Sequence, residues 1–344
     1  MDTLDRRNAR APRVTAAMVA ARAGVSTATV SLVANGKTQG RVSEDNISRV
    51  RAAIAELGYV VDSIGSSLAK GVSSIVILVT PDVSNPFFAN VIAGVRESLG
   101  TDYQLLLSVT DAGQSPQADD VRKLLALRPA GLLVGAPSAE FLEDLSAAGP
   151  LVLLDAPGLD SFAPSVNLDV AHGARELARH LASLGHTRAA YVDGVTGTET
   201  FRIRREAFLE EASSYGIVVA ESHLISTTID VGAAAAAFAE AWPSWHGAGV
   251  TAVVCGTDTH AYGVLQEARV AGVRIPDELA VAGFDDLPYS ATSNPSLTSV
   301  HLPATPLGRR AGEQLRGLME GLDLAEPHVT LDSSLVVRRS TSLP

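Results

Sequence analysis

Most of this chain alternates between strand-length apolar runs and segments of helical character, and that alternation limits the folds open to it. The apolar runs form two series, Ile75–Val79, Leu105–Val109, Gly131–Val134 and Leu151–Leu154, then Ala189–Val192, Ile217–Val219, Ala252–Cys255 and Leu279–Gly283. The helical stretches lie near 87–99, 117–127, 138–148, 170–184, 200–213, 232–241, 258–271 and 304–320. Continuous apolar strands separated by helices indicate parallel sheets covered on both faces. The sequence therefore predicts two similar α/β lobes with a ligand cleft between them, because open α/β sheets bind ligands beyond the carboxyl ends of their strands.

Length and composition bound the class of protein. The chain has 344 residues, 46% hydrophobic and 19% charged, which is a globular composition rather than a disordered one. No apolar run approaches the roughly 18 residues of a membrane span, and the N-terminus lacks the apolar core of a secretory signal. The single cysteine, Cys255, excludes an internal disulfide and a cysteine-rich zinc site. We expect a reducing cytoplasm as the location and no membrane partner.

The charge is unevenly distributed along the chain. The net charge is −11, yet residues 1–72 carry a balance of +4 and residues 73–344 carry −15. A small basic head on a large acidic body is typical of a DNA-binding module joined to a domain that senses a partner. Chance variation in a short segment is the alternative explanation of the charge difference.

The basic head contains signals for a helix, a tight turn and a second helix. Thr15 is a suitable N-cap for a helix over Ala16–Ala23, and Gly24 suits the left-handed residue that ends it. Ser26 is a suitable cap for a second helix over Thr27–Ala34. This pattern predicts a helix-turn-helix whose second helix enters the major groove of DNA.

A third helix is predicted to cover the first two. Ser43 is its candidate cap, Gly58 its end, and the apolar side chains between them recur at helical spacing. These are Ile47, Val50, Ile54 and Leu57. We therefore place an all-α helix-turn-helix DNA-binding domain at residues 14–60. Residues 1–13 are a basic arm that we expect to be disordered, with extra phosphate contacts as the alternative.

The run VAARAGVSTATVSLVANG at residues 19–36 resembles the head of the lactose-repressor (LacI/GalR) family of bacterial regulators. The segments Arg41–Ser43 and Ala55–Tyr59 also fit that family. The resemblance implies that double-stranded operator DNA is a partner and that Thr27 and Ala28 read its bases. Short polar side chains suit phosphate contacts, although Thr29 and Ser31 also suit helix capping or solvent exposure. The implied DNA-contacting residues are Thr15, Ser26, Thr27, Ala28, Thr29, Ser31, Leu32, Asn35 and Leu68.

Residues 61–73 correspond to the family's hinge, which forms a helix on operator DNA. Leu68 stands where the family inserts a leucine into the minor groove, and an apolar wedge of this kind kinks DNA. The sequence has Gly65 and Ser66 where an alanine and an arginine are common in the family. Glycine lowers helix propensity, so a plain flexible linker is the alternative reading of this segment.

The resemblance continues through the body and implies a fold like that of periplasmic sugar-binding proteins. It rests on Thr80–Phe88, Ala182–Arg188, Ile275–Pro276, Gly283–Asp286 and Pro295–Val300. In the family the chain crosses between the lobes three times, which we place near 161–163, 288–292 and 321–325. The effector-binding and dimerisation domain then covers 74–340, with lobe 1 at about 74–161 and 291–322 and lobe 2 at about 163–288 and 325–340. Trp242 and Trp245 are expected in a loop after an alanine-rich helix.

The resemblance also assigns effector contacts, each with a simpler structural alternative. The assigned residues are Phe87, Phe88, Asp155, Arg204, Thr257 and Asp285. Stacking on a ligand ring by the two phenylalanines competes with ordinary core packing. An arginine fork at Arg204 suits hydroxyls or a carboxylate, against a solvated helix charge. For Asp258 and Asp286, helix capping is the favoured interpretation.

The sequence lacks the signatures of the common enzyme and metal sites. No GxGxxG, GxxxxGK[ST], GxSxG or HExxH motif occurs, and the histidines show no ligand-like spacing. We therefore expect no catalytic residues, no metal and no cofactor. The predicted function is a homodimeric DNA-binding regulator, a repressor, whose operator affinity depends on a small sugar-like or nucleoside-like effector. The alternative is a small-molecule binding protein without a DNA function.

Overall fold

The structure is a computed structural model that describes residues 14–34, 36–59, 73–81, 83, 85–110, 118–145 and 149–341. The chain divides into two compact units, Met1–Val72 and Ser73–Pro344. Several sequence predictions fall outside the described residues. They concern the arm 1–13, Asn35, and the proposed hinge with Leu68, of which only the last residue, Ser73, is described.

The first unit contains the three predicted helices, and their local capping signals act as expected. Helix α1 spans Ala16–Ala23, α2 spans Thr27–Ala34 and α3 spans Glu44–Leu57. The Thr15 hydroxyl accepts from Met18 N, and Gly24 ends α1 with a φ of 64°. The Ser26 hydroxyl accepts from Thr29 N at 3.1 Å. The prediction of three capped helices is confirmed.

The apolar faces of these helices form a small separate core. Val19 from α1, Val30 from α2 and Val50 from α3 are almost completely buried. Ile47 is also buried, whereas Ile54 and Leu57 pack against the edge of the cluster. The predicted apolar face of α3 is therefore the face that holds α1 and α2 together.

The second unit contains two sheets, as the two series of apolar runs predicted, but each sheet has six strands where its series has four runs. The first sheet has the order β11-β5-β4-β3-β1-β2, and all of its strands are parallel. Its strands are β1 (Ile75–Thr80), β2 (Gln104–Val109), β3 (Gly131–Gly135), β4 (Leu151–Leu154), β5 (Ser165–Asp169) and β11 (His328–Asp332). Its helices are α4 (Pro86–Leu99), α5 (Ala118–Leu125), α6 (Ala139–Leu145) and α11 (Ala304–Met319).

The second sheet has the order β12-β10-β9-β8-β6-β7, and only β12 runs antiparallel to its neighbour. Its strands are β6 (Ala189–Gly194), β7 (Leu224–Thr227), β8 (Ala252–Cys255), β9 (Ala280–Asp285), β10 (Thr298–His301) and β12 (Ser334–Val336). Its helices are α7 (Val170–Ser183), α8 (Glu199–Ser214), α9 (Val231–Gly247) and α10 (Asp258–Val270). Short 3-10 turns cover Glu221–His223 and Pro288–Ala291.

The chain passes between the lobes three times, but later in the sequence than predicted. The passages lie between β5 and α7, between β10 and α11, and between β11 and β12. The predicted crossings near 161–163, 288–292 and 321–325 were wrong because β5, β10 and β11 were not recognised as strands. β5 and β10 contain buried polar residues such as Ser165, Asn167 and Thr298, so neither gives a continuous apolar run.

Two further elements differ from the sequence prediction. The segment Ile217–Val219 forms only an isolated bridge through Val218, and the strand paired with β6 is β7 instead. Trp242 and Trp245 lie in α9 rather than in a loop, although Pro243 separates them. Trp245 is buried in the core of the second lobe beside Phe238. The helix continues past the predicted stretch at 232–241 although it contains Pro243, a residue that interrupts most helices.

Helices α4 and α11 of the first lobe approach each other at backbone distance. A Cβ atom added at Gly308 would lie 2.0 Å from Val91 O, and one added at Gly94 would lie 2.1 Å from Thr305 O. Glycine is therefore required at both positions for this helix pair to pack. Phe87 belongs to α4 and lines a cavity together with residues of the second lobe. The helix pair therefore supports the side of the first lobe that faces the second lobe.

Within the described residues, no single helix is long and apolar enough to cross a membrane, although α1 and α2 pass the same criteria together as a pair bent by 103°. The same part of the chain contains no group of three or more His, Cys, Asp or Glu side chains placed to hold a metal ion.

Candidate DNA-binding head and effector site

The N-terminal part of α2 presents a solvent-exposed polar surface. Thr27 and Ala28 are exposed in the first turn of the helix, and Ser31 is exposed one turn later. Residues four apart lie on the same side of a helix, so Thr27 and Ser31 share one face. Val30 and Val33 occupy the opposite, buried face. This exposed helix end is therefore placed as a recognition helix requires for contact with the edges of bases in a groove.

The other predicted DNA-contacting residues have structural roles as well. Thr15 and Ser26 are exposed, and each hydroxyl accepts the capping bond of its helix. The Thr29 hydroxyl lies 2.9 Å from the Ser26 hydroxyl and is half-buried, as is Leu32. An accepting hydroxyl keeps its own proton for donation to a phosphate.

The head also offers basic side chains that are not paired with an acid in the described part of the chain. Lys37, Arg41 and Arg51 are exposed and form no ion pair with any residue that the structure describes. Arg22 and Arg49, in contrast, pair with Glu56 and Asp45. Exposed cations attract the phosphate backbone and supply sequence-independent affinity.

In the body, two aspartates stand where strands of opposite lobes end. Asp155 follows β4 of the first lobe, and Asp285 is the last residue of β9 in the second lobe. Their φ angles are 52° and 109°, a region that residues other than glycine rarely adopt. Backbone held in this region concentrates at functional sites.

A hydrogen bond joins the lobes beside Asp155. Thr200, in the first turn of α8, donates its hydroxyl to Asp155 Oδ1 at 2.8 Å. Burial raises the pKa of the Asp155 carboxyl, while the Thr200 bond and the positive charge of Arg204 oppose that shift. The carboxyl group is therefore a hydrogen-bond acceptor held in a poorly solvated place.

Arg204 is almost completely buried and is fixed from several sides. Its guanidinium carbon lies 4.8 Å from the centre of the Phe201 ring and 4.6 Å from that of Phe284. Nη1 donates to the Gly256 carbonyl oxygen, whereas Nε is buried without a partner. Since only 3% of this residue is exposed, a solvated helix charge is excluded for Arg204.

Asp285 is the second buried charge of the site, with 7% of its surface exposed. Its Oδ2 atom is buried and has no hydrogen-bond partner among the residues that the structure describes. Burial raises the pKa of this carboxyl, and the Arg204 charge and the Asn85 side chain act against that shift. Asn85 belongs to the first lobe, so Asp285 also faces the other lobe.

Arg204 forms no ion pair with Asp155 or Asp285, because no guanidinium nitrogen lies within 4 Å of their carboxylate oxygens. The guanidinium acts on both carboxyl groups only through longer-range attraction. Buried polar atoms normally have partners, so Arg204 Nε and Asp285 Oδ2 are respectively a donor and an acceptor whose hydrogen-bonding capacity the described residues leave unused. A ligand with both hydroxyl donors and oxygen acceptors would satisfy them.

Two cavities lie between the lobes. The larger, of about 320 Å³, is lined by residues 136–139 and 155–159 of the first lobe and 196–199 of the second. The smaller, of about 120 Å³, is lined among others by Phe87, Asp285 and His301. Asp155 therefore faces the larger cavity and Asp285 the smaller one, whereas Arg204 and Thr257 line neither.

The two phenylalanines have different surroundings. Phe87 is 6% exposed, belongs to the main core and also lines the smaller cavity. Phe88 is half-buried and meets Phe87 edge to face at 5.2 Å between ring centres. Core packing accounts for most of the Phe87 surface.

Thr257, Asp258 and Asp286 have roles other than those expected from their positions. Thr257 is the N-cap of α10, and its hydroxyl accepts from His260 N. Asp258 does not cap that helix: its carboxylate accepts from Leu287 N, Ser290 Oγ and Ser299 Oγ. The capping prediction for Asp258 was wrong because the preceding threonine supplies the cap.

Asp286 is likewise an ion-pair residue rather than a helix cap. Its Oδ1 lies 2.6 Å from Arg338 Nη2, and its Oδ2 lies 3.2 Å from His301 Nδ1. His301 precedes the second passage between the lobes and Arg338 follows the third. Asp286 therefore links the last residue before the second passage to a residue that follows the third passage.

Sequence reasoning missed several residues of this site. Thr200, Phe201, Phe284 and Asn85 were not assigned to it. Thr200 and Phe201 lie four and three residues before Arg204 on one helix, and that spacing places them on its face. The spacing was available in the sequence, whereas the approach of Phe284 and Asn85 depends on the tertiary fold.

Comparison with known proteins bears on both units. A model of the lacI family of bacterial regulatory proteins matches residues 15–62, and a model of a periplasmic binding protein-like domain matches residues 178–341. The HTH-type transcriptional regulator DegA of Bacillus subtilis (strain 168) is 30% identical over 339 residues, covering 94% of this chain and 97% of the relative. This chain belongs to the lacI family of bacterial regulatory proteins. It is a DNA-binding transcriptional regulator with an effector-binding domain, and its relatives are regulators, not enzymes.

Other lacI-family proteins agree with this assignment. The transcriptional repressor CytR of Escherichia coli (strain K12) is 27% identical over 331 residues, covering 94% of this chain and 95% of the relative. The solved complex of the regulator CelR with cellobiose is 26% identical, with a TM-score of 0.70 and coverage of 95% and 100% of the two chains. The lac repressor dimer bound to operator and the anti-inducer ONPF shares the fold, with a TM-score of 0.79 at 24% identity and coverage of 96% and 99%. The fold predicted from the sequence, a helical head plus two α/β lobes, is confirmed.

Proposed function

We propose that this lacI-family regulator is a homodimeric repressor whose operator affinity is controlled by a small polar effector bound between the two lobes. The observation that carries the proposal is the pair of buried, unpartnered atoms Arg204 Nε and Asp285 Oδ2. Both lie in the second lobe, and Asp285 faces a cavity whose other wall belongs to the first lobe. An effector that bridges these walls stabilises one arrangement of the lobes over another.

The chemistry of the site favours a polyhydroxylated effector, either sugar-like or nucleoside-like. Asp155 and Asp285 accept hydrogen bonds, Arg204 donates them, and Phe87 supplies an apolar wall. A hydroxyl group donates and accepts at once, so a ligand with several hydroxyls can meet both kinds of group. Phe88 and Thr257 belong to the proposed effector set as well, although Thr257 already caps α10. CelR, which is bound to cellobiose in its solved complex, provides a precedent in the family.

For DNA recognition, the proposal places the exposed N-terminal turn of α2 in the major groove. Thr27 and Ala28 read bases, while Thr15, Ser26, Thr29 and Ser31 contact phosphates. Leu32, Asn35 and Leu68 complete the proposed set, the last two from outside the described residues. Leu68 inserts into the minor groove at the centre of the operator, so Leu68→Ala weakens operator binding while leaving effector binding unchanged.

The first lobe offers an edge suited to pairing with a second copy. Strand β2 is the last strand of its sheet, and Leu106, Leu107 and Val109 on it are each more than a third exposed. Apolar side chains on an open sheet edge are a liability in a monomer. A two-fold dimer covers them and presents two heads to a two-fold symmetric operator.

Control of operator binding then follows from a shift between two lobe arrangements. An effector changes the equilibrium only by its difference in affinity for the two arrangements. The three connecting segments let the lobes move relative to each other, and the first lobe begins at Ser73, the residue that follows the head in the sequence. The regulator acts where its operator is, so the proposed location is the cytoplasm.

The alternative is a small-molecule binding protein without a DNA function. The exposed face of α2 and the unneutralised Lys37, Arg41 and Arg51 have no use in such a protein. The proposal is therefore tested on DNA. Genomic fragments of the host bacterium are selected with the full-length protein at about 150 mM salt, where non-specific electrostatic binding is weak.

We expect an inverted repeat to be enriched, and we expect a protein-free extract of small metabolites to change the yield of that repeat. The double variant Thr27→Val/Ala28→Ser tests the role of the head, because both exposed side chains change while the helix keeps its caps. This variant should lose or alter the selected sequence. Equal enrichment of all fragments by the wild-type protein, with and without extract, contradicts the proposal.

A further inference from the structure

Phe201 fills a space that two glycines leave open at the ends of neighbouring strands. Gly194 ends β6, and Gly256 directly follows β8, which pairs with β6. A Cβ atom added at Gly194 would lie 2.7 Å from Phe201 Cε1, and one added at Gly256 would lie 3.4 Å from the same atom. The ring therefore lies against the strand ends, at the edge of the sheet where ligands bind in α/β folds.

This ring covers one face of Arg204, the buried arginine of the proposed effector site. The Arg204 guanidinium carbon lies 4.8 Å from the centre of the Phe201 ring, and Phe284 covers the guanidinium at 4.6 Å. Both distances fall within the range of favourable cation–π contact. The Nη1 bond to the Gly256 carbonyl oxygen supplies a further restraint. Gly256 thus both admits the Phe201 ring and holds the cation beside it.

Two aromatic contacts and one hydrogen bond leave the guanidinium little freedom. Its interactions with Asp155 and Asp285 stay at long range, although attraction would otherwise draw it into an ion pair with either carboxylate. The unpartnered Nε atom remains available. A planar, pre-oriented donor edge is what distinguishes arginine from lysine in recognition.

We propose that Phe201 is a positioning residue of the effector site, which keeps the Arg204 guanidinium stacked and away from the two aspartates so that its free edge meets the effector. Phe201 need not touch the effector. The biological role of Phe201 rests on the proposed function. Its effect on the position of the Arg204 guanidinium, in contrast, is a property of the protein without effector. It deepens the proposed function by naming what keeps the arginine from being neutralised within its own site.

The test compares Phe201→Leu with Phe201→Tyr in the full-length protein. Leucine keeps an apolar side chain but is shorter and lacks the ring, whereas tyrosine keeps the aromatic face. The side-chain Nε–H signals of arginine are recorded by NMR with arginine-selective 15N labelling, and Arg204 is assigned from its loss in Arg204→Lys. The ring currents of the stacked phenylalanines shift this signal, and burial slows its exchange with water.

We expect the Arg204 signal to move towards those of solvent-exposed arginines and to exchange faster in Phe201→Leu, and to stay close to wild type in Phe201→Tyr. Urea midpoints of the two variants separate this effect from loss of folding. An unchanged Arg204 signal in Phe201→Leu overturns the proposal, as does an equal change in both variants at equal stability.

The operator assay supplies a second readout with the metabolite extract as the probe. The extract concentration for half-maximal change in operator binding should rise about tenfold in Phe201→Leu, the size of effect expected from one lost cation–π contact. Extract-free operator binding and the response of Phe201→Tyr should remain at wild-type values. Failure of the wild-type protein to respond would count against the proposed function alone, because the NMR comparison decides the role of Phe201 without any effector.

Discussion

The Thr200 hydroxyl donates a 2.8 Å hydrogen bond to Asp155 Oδ1, and this bond crosses from the second lobe to the first. Thr200 is 2% exposed, so the bond forms away from bulk solvent. It lies at the start of α8, one helical turn before Arg204. Contact between the lobes and the arrangement of the effector site therefore depend on the same helix.

The first prediction concerns this bond. Thr200→Val keeps the shape of the side chain but leaves the Asp155 carboxyl without its donor, so we expect a loss of about 1–3 kcal/mol in the free energy of unfolding. Thr200→Ser keeps the hydroxyl and is the matched control. Urea unfolding at pH 7 measures both. If the valine and serine variants have equal stability, the bond contributes nothing to holding the lobes together.

A second prediction concerns the pH dependence of stability at Asp258. Burial raises the pKa of this carboxyl from 3.8 to about 7 in the folded protein. Between these values the folded state binds a proton that the unfolded state has released, so the contribution of Asp258 to stability falls as pH rises from about 4 to about 7. Asp258→Asn imitates the protonated form, with one acceptor and donors towards the serine hydroxyls.

The wild-type protein and Asp258→Asn should therefore have similar stability near pH 4, and the variant should gain relative to wild type as the pH approaches 8. Other titrating groups contribute to both proteins and cancel in the difference. Urea midpoints measured across this pH range provide the comparison. A difference that stays constant with pH would show that Asp258 is ionised throughout.

A third prediction concerns the close packing of α4 and α11. Gly308→Ala places a methyl group 2.0 Å from Val91 O, so the helices must separate. Overpacking of this kind costs about 1–3 kcal/mol, or more when backbone must move. Gly247→Ala is the matched control, since Gly247 ends α9 with open space around it. Alanine there should be neutral or stabilise by up to about 1 kcal/mol. Thermal unfolding of both variants tests whether the position of the glycine, rather than the residue type, decides if alanine lowers or raises the stability.

A fourth prediction uses the single thiol of the chain. Cys255 ends β8, is completely buried, and burial raises the pKa of its thiol. Thiolate is the reactive form, so labelling by a thiol reagent at pH 8 should proceed only through opening of the second lobe. We expect the rate to rise steeply with urea below the unfolding midpoint. Rapid stoichiometric labelling of the native protein would contradict the burial of this strand.

The head was predictable from the sequence because its determinants are local. Thr15, Ser26 and Ser43 cap helices that begin one residue later, and Gly24 and Gly58 end helices with positive φ angles. Each of these signals acts within four residues of chain. None of them depends on how the rest of the molecule folds.

The later strands were not predictable in this way, because their polar side chains are buried with partners distant in sequence. Asn167 of β5 accepts from Ala156 N, and Thr298 of β10 exchanges hydrogen bonds with Thr341 and Arg338. A buried polar residue with a remote partner looks like a loop residue in a single sequence. The lobe boundaries were misplaced for this reason.

The effector site was predictable in part. Asp155 and Asp285 were placed by the strands that precede them, and Arg204 by its likeness to a family motif. The stacking of Arg204 between Phe201 and Phe284 could not be predicted, because it brings α8 next to the end of β9. The Phe201 ring lies in the space that glycines leave at the ends of β6 and β8. Such a contact exists only in the tertiary structure.

The central claim is that one effector site between the lobes controls operator binding by the head. Its most direct test is the operator dissociation constant, measured by fluorescence anisotropy as the metabolite extract is titrated, for wild type and for Arg204→Lys. Lysine keeps the charge but loses the pre-oriented donor edge. We expect the same extract-free dissociation constant for both proteins, a shift of about tenfold with extract in wild type, and little or no shift in Arg204→Lys. An equal shift in both proteins would place control of operator binding outside this site.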